Sequence, residues 1–276
     1  MNRALAIGIA MTSDPERGRA RLGHLASTLE RATGLRLERQ IAYPYHRLLD
    51  ALEAGELDLV WLPPMLALRS TGRGLVTPLA LPVRHGVCTY STALFTRPDA
   101  PVTEVTELRR ARAAWVDPQS AAGYLVIRAL LRSRRLDLTA LFEENTFYGS
   151  HDAVVEAVLE GHADVGATFF HERADARGEQ RAGWRDHQVQ VLATADSIPS
   201  DMLAARAELE PEIRGRLQDS LVGGEHPTVV RAATELFGAE SFRAPSREHL
   251  DGLTTILGEL EDAPPSRRST LGGPSR

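Results

Sequence analysis

The sequence predicts an α/β protein of two lobes, each a mixed, mainly parallel sheet flanked by helices. Three observations predict it. A strand–helix–strand–helix–strand order fills the chain up to Leu62. The same order returns past the middle. Two strand-rich runs, 79–95 and 189–194, connect the two stretches. Repeated strand–helix–strand units favour a parallel sheet with helices on both faces. Two crossings imply a first lobe made of 1–86 and 192–262, with 87–191 inserted as the second. The crossing strands, 84–89 and 189–194, would then form a hinge.

Each element has a local reason. Ala4-Leu5-Ala6-Ile7-Gly8-Ile9-Ala10-Met11 is apolar and reads as a first buried strand. It is not a secretory signal, since only Arg3 precedes it and no clear cleavage site follows. Ser13 or Asp14 can cap a helix that has Pro15 in its first turn. Leu22, Leu25, Ala26, Leu29 and Ala32 then recur at helical spacing, and Gly34 ends the helix. Alternation at Leu35, Leu37, Arg39 and Ile41 predicts a strand. A helix over 44–54 ends at Gly55, and a buried strand over 57–62 follows. The echo lies at 151–166: Ala51 and Asp58 flank Gly55 as Ala157 and Asp164 flank Gly161. Both copies read as a short helix, a glycine cap and immediate entry into a parallel strand. Val87 and Tyr90 predict a strand around Cys88, with a buried, inert thiol. The run 113–116 predicts a further strand, and 121–133 an amphipathic helix. Helices are expected at 211–222, 228–237 and 246–260. The tail, 263–276, has almost no apolar content and is expected to be disordered.

Composition excludes several chemistries. Of 276 residues, 43% are hydrophobic and 25% charged, ordinary for a globular chain, and the net charge of −5 does not favour a nucleic-acid partner. The single cysteine excludes an intrachain disulfide and a cysteine zinc cluster. All 32 basic residues are arginine, so neither a Walker-type phosphate loop nor a Schiff-base lysine is available. No apolar run is long enough to span a bilayer. His171-Glu172 is not followed by the second histidine of a zinc-protease helix, and no nucleophile elbow or dinucleotide fingerprint occurs. No metal and no cofactor is expected.

Candidate site residues gather at strand-to-helix turns. In Trp115-Val116-Asp117-Pro118-Gln119-Ser120-Ala121-Ala122-Gly123-Tyr124, Ser120 is a natural N-cap and the small residues let a ligand approach the backbone. A helix start carries unpaired amides and roughly half a positive charge, so it attracts anions. Gly149-Ser150-His151-Asp152 opens a second such helix. Tyr45 stands at another, and Tyr90-Ser91-Thr92 lies in the first crossing. Together these groups make an oxyanion cage without lysine. Taken singly, each also reads as a cap, a core tyrosine or a satisfied histidine.

These motifs resemble the phosphonate, phosphite and phosphate-binding proteins that feed ABC importers. The resemblance rests on 45–58, Tyr90-Ser91-Thr92, 116–124, Gly149-Ser150-His151-Asp152-Ala153 and Ser197-Ile198-Pro199, in order over roughly 4–222. It implies a type II periplasmic-binding-protein fold, whose two lobes close on a small anionic ligand, and no catalysis. It also implies an ABC permease or a signalling partner. The family's central turn typically reads Ser-Thr-Ser-Gly; here Ala121 and Ala122 stand in place of two of those hydroxyls. A less charged or more apolar ligand than a phosphonate, such as a carboxylate, is therefore expected. Without a recognisable signal peptide the chain as written reads as cytoplasmic, and as periplasmic if its N-terminus was trimmed. Two other readings stand beside binding: a cytoplasmic enzyme on the same fold, akin to some of the menaquinone pathway, with His151-Asp152 as its acid–base pair, or the ligand-sensing module of a regulator.

Overall fold

The computed structural model describes residues 3–10, 15–42, 45–171, 182–246, 249, 251 and 254, with backbone alone for Ala10, Pro15, 39–42, Tyr45 and His46. The expected caps Ser13 and Asp14, the tail 263–276 and most of the helix expected over 246–260 lie outside these residues. The described residues of 1–89 and 199–250 form one compact unit, and those of 90–198 another.

The first unit starts with the expected alternation: β1 (Leu5–Ala10), α1 (Pro15–Thr33), β2 (Leu37–Ala42), α2 (Tyr45–Glu53) and β3 (Leu59–Leu62). β2 and β3 start two residues later than the pattern predicts. The amide of Leu5 bonds the carbonyl of Arg36, and that of Asp58 bonds Ala6, so the chain is already held at these approaches. After α3 (Pro64–Gly72) and β4 (Val76–Val83), the chain leaves for the second unit. It returns as β10 (Met202–Arg206), α7 (Pro211–Val222), α8 (Pro227–Phe237) and β11 (Ser241–Arg243). The sheet order is β11-β4-β10-β3-β1-β2. β1 pairs in parallel with β2 and β3, whereas β10 and β11 pair antiparallel to their neighbours. One face packs Ile7, Ile9, Leu59 and Leu203 on Leu22, Leu25 and Leu29 of α1 and Leu217 of α7. The other packs Val60 and Leu62 on Leu48 and Leu66 of α2 and α3. The alternation of β-strand side chains supplies both cores from the same strands.

The second unit holds β5 (Thr89–Thr96), β6 (Ala111–Trp115), α4 (Val126–Ser133), α5 (Leu138–Leu141), β7 (Phe142–Phe147), α6 (His151–Leu159), β8 (Val165–Phe170) and β9 (Gln190–Pro199). Its sheet order is β7-β6-β8-β5-β9. β6 lies between β7 and β8 and is parallel to both, as β1 is to β2 and β3; β5 runs antiparallel to β8. Trp115 and Ala113 face α4 and α5, while Ala114 and Val116 face α6. Cys88 lies in a bend between β4 and β5 rather than in a strand. It is half-buried, and desolvation pushes its thiol pKa up.

The sequence echo has a structural cause. Gly55 and Gly161 both take positive φ, 72° and 79°, which glycine adopts without strain. Asp58 then accepts from the amide of Ala6 at 2.9 Å, and Asp164 from that of Arg112 at 2.8 Å. Each carboxylate thus ties the start of one strand, β3 or β8, to the start of its parallel neighbour, β1 or β6. Each also binds arginine: Asp58 binds Arg3 and Arg206, and Asp164 binds Arg112.

Candidate ligand-binding site

β6 and β7 are adjacent and parallel, so the turns that leave them emerge side by side at the carboxyl edge of the second sheet. Ligands of open α/β sheets bind outside the carboxyl ends of their strands. The first turn is braced by Asp117, whose carboxylate accepts from the amide of Gln119 at 2.8 Å. Ser120 follows with extended backbone and is the N-cap; its Oγ accepts from the amide of Gly123 at 3.0 Å. Ala121 to Leu125 form one π-turn before α4, where the sequence predicts an α-helix from Ala121. The amide of Val116 donates to the carbonyl of Gly123 at 3.2 Å and draws this turn onto the strand. A Cβ on Gly123 would lie 2.3 Å from the Val116 side chain and 2.8 Å from Ser120 Oγ. Glycine is therefore required here for packing.

The second turn repeats the device. Ser150 caps α6, its Oγ accepting from the amide of Ala153 at 3.1 Å. Ser120 and Ser150 are both buried. A hydroxyl that accepts from its own helix keeps its proton for another acceptor. The first amides of each helix, at Ala121, Ala122, His151 and Asp152, have no intrahelical partner by construction.

A line of contacts joins the two turns. Thr92 on β5 donates to the carbonyl of Ala122 at 2.6 Å, with the carbonyl of Thr168 at 3.3 Å. Thr168 Oγ1 lies 2.9 Å from His151 Nδ1. Burial pushes the pKa of His151 down to about 4, a drop that the neighbouring Asp152 carboxylate opposes. The residue as a whole is only partly buried, but its surroundings strip water from the charged form. It is therefore a neutral imidazole at pH 7.

The expected residues divide by role. Ser120, Ala121, Ala122, Gly123, Ser150 and His151 come together around these turns. Thr92 spends its proton inside the protein and holds the central turn in place. Ser91 is buried beside it on β5. The Tyr90 ring lies 6.2 Å from that of His171. Asp152 is held by Arg185 through two contacts of 2.9 Å; its charge suits the helix start and is matched by the guanidinium. Tyr124 turns into the core: its ring meets Trp115 at 5.5 Å and Phe147 at 5.0 Å, with the Arg128 guanidinium 4.8 Å above it. Tyr45 opens α2, at the carboxyl edge of the first unit's own sheet and in the place α6 takes in the second. Thr168, Phe169 and His171 were not expected. Phe169 stands 5.1 Å from the ring of His151, and His171 is buried. The echo places β8 in the sequence, and following it to its carboxyl end would have found them. Among the described residues, no group of three His, Cys, Asp or Glu side chains could hold a metal ion, and no helix is long and apolar enough to cross a membrane.

Two α/β units, with helix starts gathered at the carboxyl ends of parallel strands, define the fold of the periplasmic binding proteins. The chain belongs to the family described as ABC transporter, phosphonate, periplasmic substrate-binding protein, which it matches over residues 7–250. It is 24% identical over 205 residues to the phosphate-import protein PhnD of Mycolicibacterium smegmatis; the match covers 70% of this chain and 63% of that relative's length. Its fold is similar to PhnD1 of Prochlorococcus marinus in complex with methylphosphonate: TM-score 0.78, 14% identity, 94% of this chain and 99% of the other. It is also similar to a binding-protein component of an ABC phosphonate transporter from Pseudomonas aeruginosa, with TM-score 0.76, 18% identity, and 93% and 86% of the two chains.

Proposed function

We propose that this protein is a solute receptor of an ABC importer and holds a small oxyanion at the carboxyl edge of its second unit. One observation carries the reading: two buried N-cap hydroxyls, Ser120 and Ser150, each accept from an amide of their own helix start, which leaves the hydroxyl proton available to a ligand. The helix amides add donors, and their dipoles favour negative charge. His151, neutral, adds a ring donor or acceptor. Catalysis has less support. The pair His151-Asp152 would have to serve as acid and base, yet burial keeps the imidazole neutral and Arg185 holds the carboxylate. The partner would be the importer's permease, as the family description implies.

The ligand is less charged than a phosphonate dianion, or carries an apolar group. Ala121 and Ala122 offer methyls where hydroxyls would suit a tetrahedral, multiply charged anion. Each hydrogen bond to a charged group is worth about 1.5–3 kcal/mol. Calorimetry with methylphosphonate, phosphite and acetate should be run on the wild type and on Ala121→Thr/Ala122→Ser, with melting curves as a folding control. The expected result is weak methylphosphonate binding that tightens about tenfold in the variant, one decade being about 1.4 kcal/mol. Tight wild-type binding, unchanged in a folded variant, would contradict this account of the turn.

A further inference from the structure

A cavity of about 480 Å³ opens in the first unit at the amino ends of its parallel strands. None of its residues belongs to the turns described above. Its apolar floor is Leu5, Leu35, Leu209 and Ile213. Arg3, Arg36 and Arg206 also line it, as do Glu208 and Glu210. Two of the arginines, Arg3 and Arg206, are held by a buried carboxylate. Asp58 is fully buried and takes Nη2 of Arg3 at 2.5 Å and Nη2 of Arg206 at 3.0 Å. Two guanidiniums thus share one carboxylate, and Glu208 is a further, more distant partner of Arg206. The Nε of Arg206 is buried and, among the described residues, has no hydrogen-bond partner. The nearest carboxylate oxygen recorded for it, on Glu208, is 4.0 Å away. A buried donor without an acceptor costs free energy.

The volume falls within the range of small-molecule sites, which pair an apolar lining with a few placed polar groups. Three kinds of lining call for three features in one ligand. A carboxylate answers the arginines, whose forked donors suit it. An ammonium answers the glutamates. A short hydrocarbon answers the floor. We propose that this cavity is a second site, for an amphiphilic zwitterion of the aliphatic α-amino acid class. Its carboxylate meets Arg206 and Arg36, its ammonium meets Glu208 and Glu210, and its side chain covers Leu209 and Ile213.

Calorimetry on the full chain tests this with leucine, 4-methylpentanoate, which lacks the ammonium, and isoamylamine, which lacks the carboxylate. Arg36→Gln and Glu208→Gln change exposed side chains and leave Asp58 and its partners in place. Ser120→Ala/Ser150→Ala reports on the oxyanion site. Leucine should bind at one site per chain, equally well to the wild type and the serine variant. Binding should fall tenfold or more in Arg36→Gln and several-fold in Glu208→Gln, and isoamylamine should not bind. No saturable binding of leucine would overturn the proposal. So would leucine binding that is lost in the serine variant but kept in both variants of the first unit.

Discussion

In the proposed site Ser120 and Ser150 would do two jobs with one oxygen each: the lone pair closes a helix, and the proton would be left for a ligand. His151 works differently. In the unfolded chain it titrates near 6.5, the ordinary value for an imidazole, whereas in the fold its pKa is lowered to about 4 by burial. The native state therefore refuses a proton that the unfolded state accepts. The stability from this neutral ring is fully present above pH 6.5, is lost as pH falls between 6.5 and 4, and is constant below. At about 1.4 kcal/mol per unit, the loss across that window is roughly 3 kcal/mol. Urea unfolding at pH 7 and pH 5 should show the wild type weakening more than His151→Gln. Equal losses in both would place the imidazole in solvent instead.

The glycine–aspartate joint is the element that both units share. Asp58 is fully buried and holds two arginines and an amide, whereas the Asp164 side chain is 40% exposed. Solvent can replace much of what Asp164 supplies, although hydrogen bonds from Arg112 hold its pKa low. Asp58→Ala should thus cost about 3 kcal/mol by urea unfolding, and Asp164→Ala about 1 kcal/mol or less. Similar costs would show that the two joints are equally wet. This joint was legible in the sequence because a positive-φ glycine and a short polar residue at a strand entry leave little choice of residue. The π-turn at Ala121–Leu125 was not legible. It spans one turn, too short for periodicity, and it depends on the Val116–Gly123 backbone bond and on close packing against Val116. The inward turn of Tyr124 was hidden for a related reason. Its partners Trp115 and Phe147 meet only through the parallel pairing of β6 and β7.

Across the whole molecule, hydrophobic periodicity and turn residues announced the repeated strand–helix order, since each strand must be apolar and each helix amphipathic. The antiparallel half of each sheet was harder to see: β10 joins β3 and β4 although more than a hundred residues of the second unit separate them in the chain. Ser120, Ser150 and His151 stood out because caps carry a local signature, whereas Thr168 and His171 join them only through sheet pairing. The central claim is that the two cap hydroxyls hold an oxyanion. A ligand at a hundred times its dissociation constant adds roughly 2.7 kcal/mol. For a chain of this size that raises the melting temperature by about 5–10 °C. The most direct test is calorimetric titration of wild type, Ser120→Ala and Ser150→Ala with the best-bound anion from a thermal-shift screen of oxyanions and small carboxylates. The account predicts a fall in affinity of tenfold or more for each single variant, beyond the loss of about 1 kcal/mol of stability that each cap supplies. Affinity unchanged in both variants, with only their melting temperatures lowered, would contradict it.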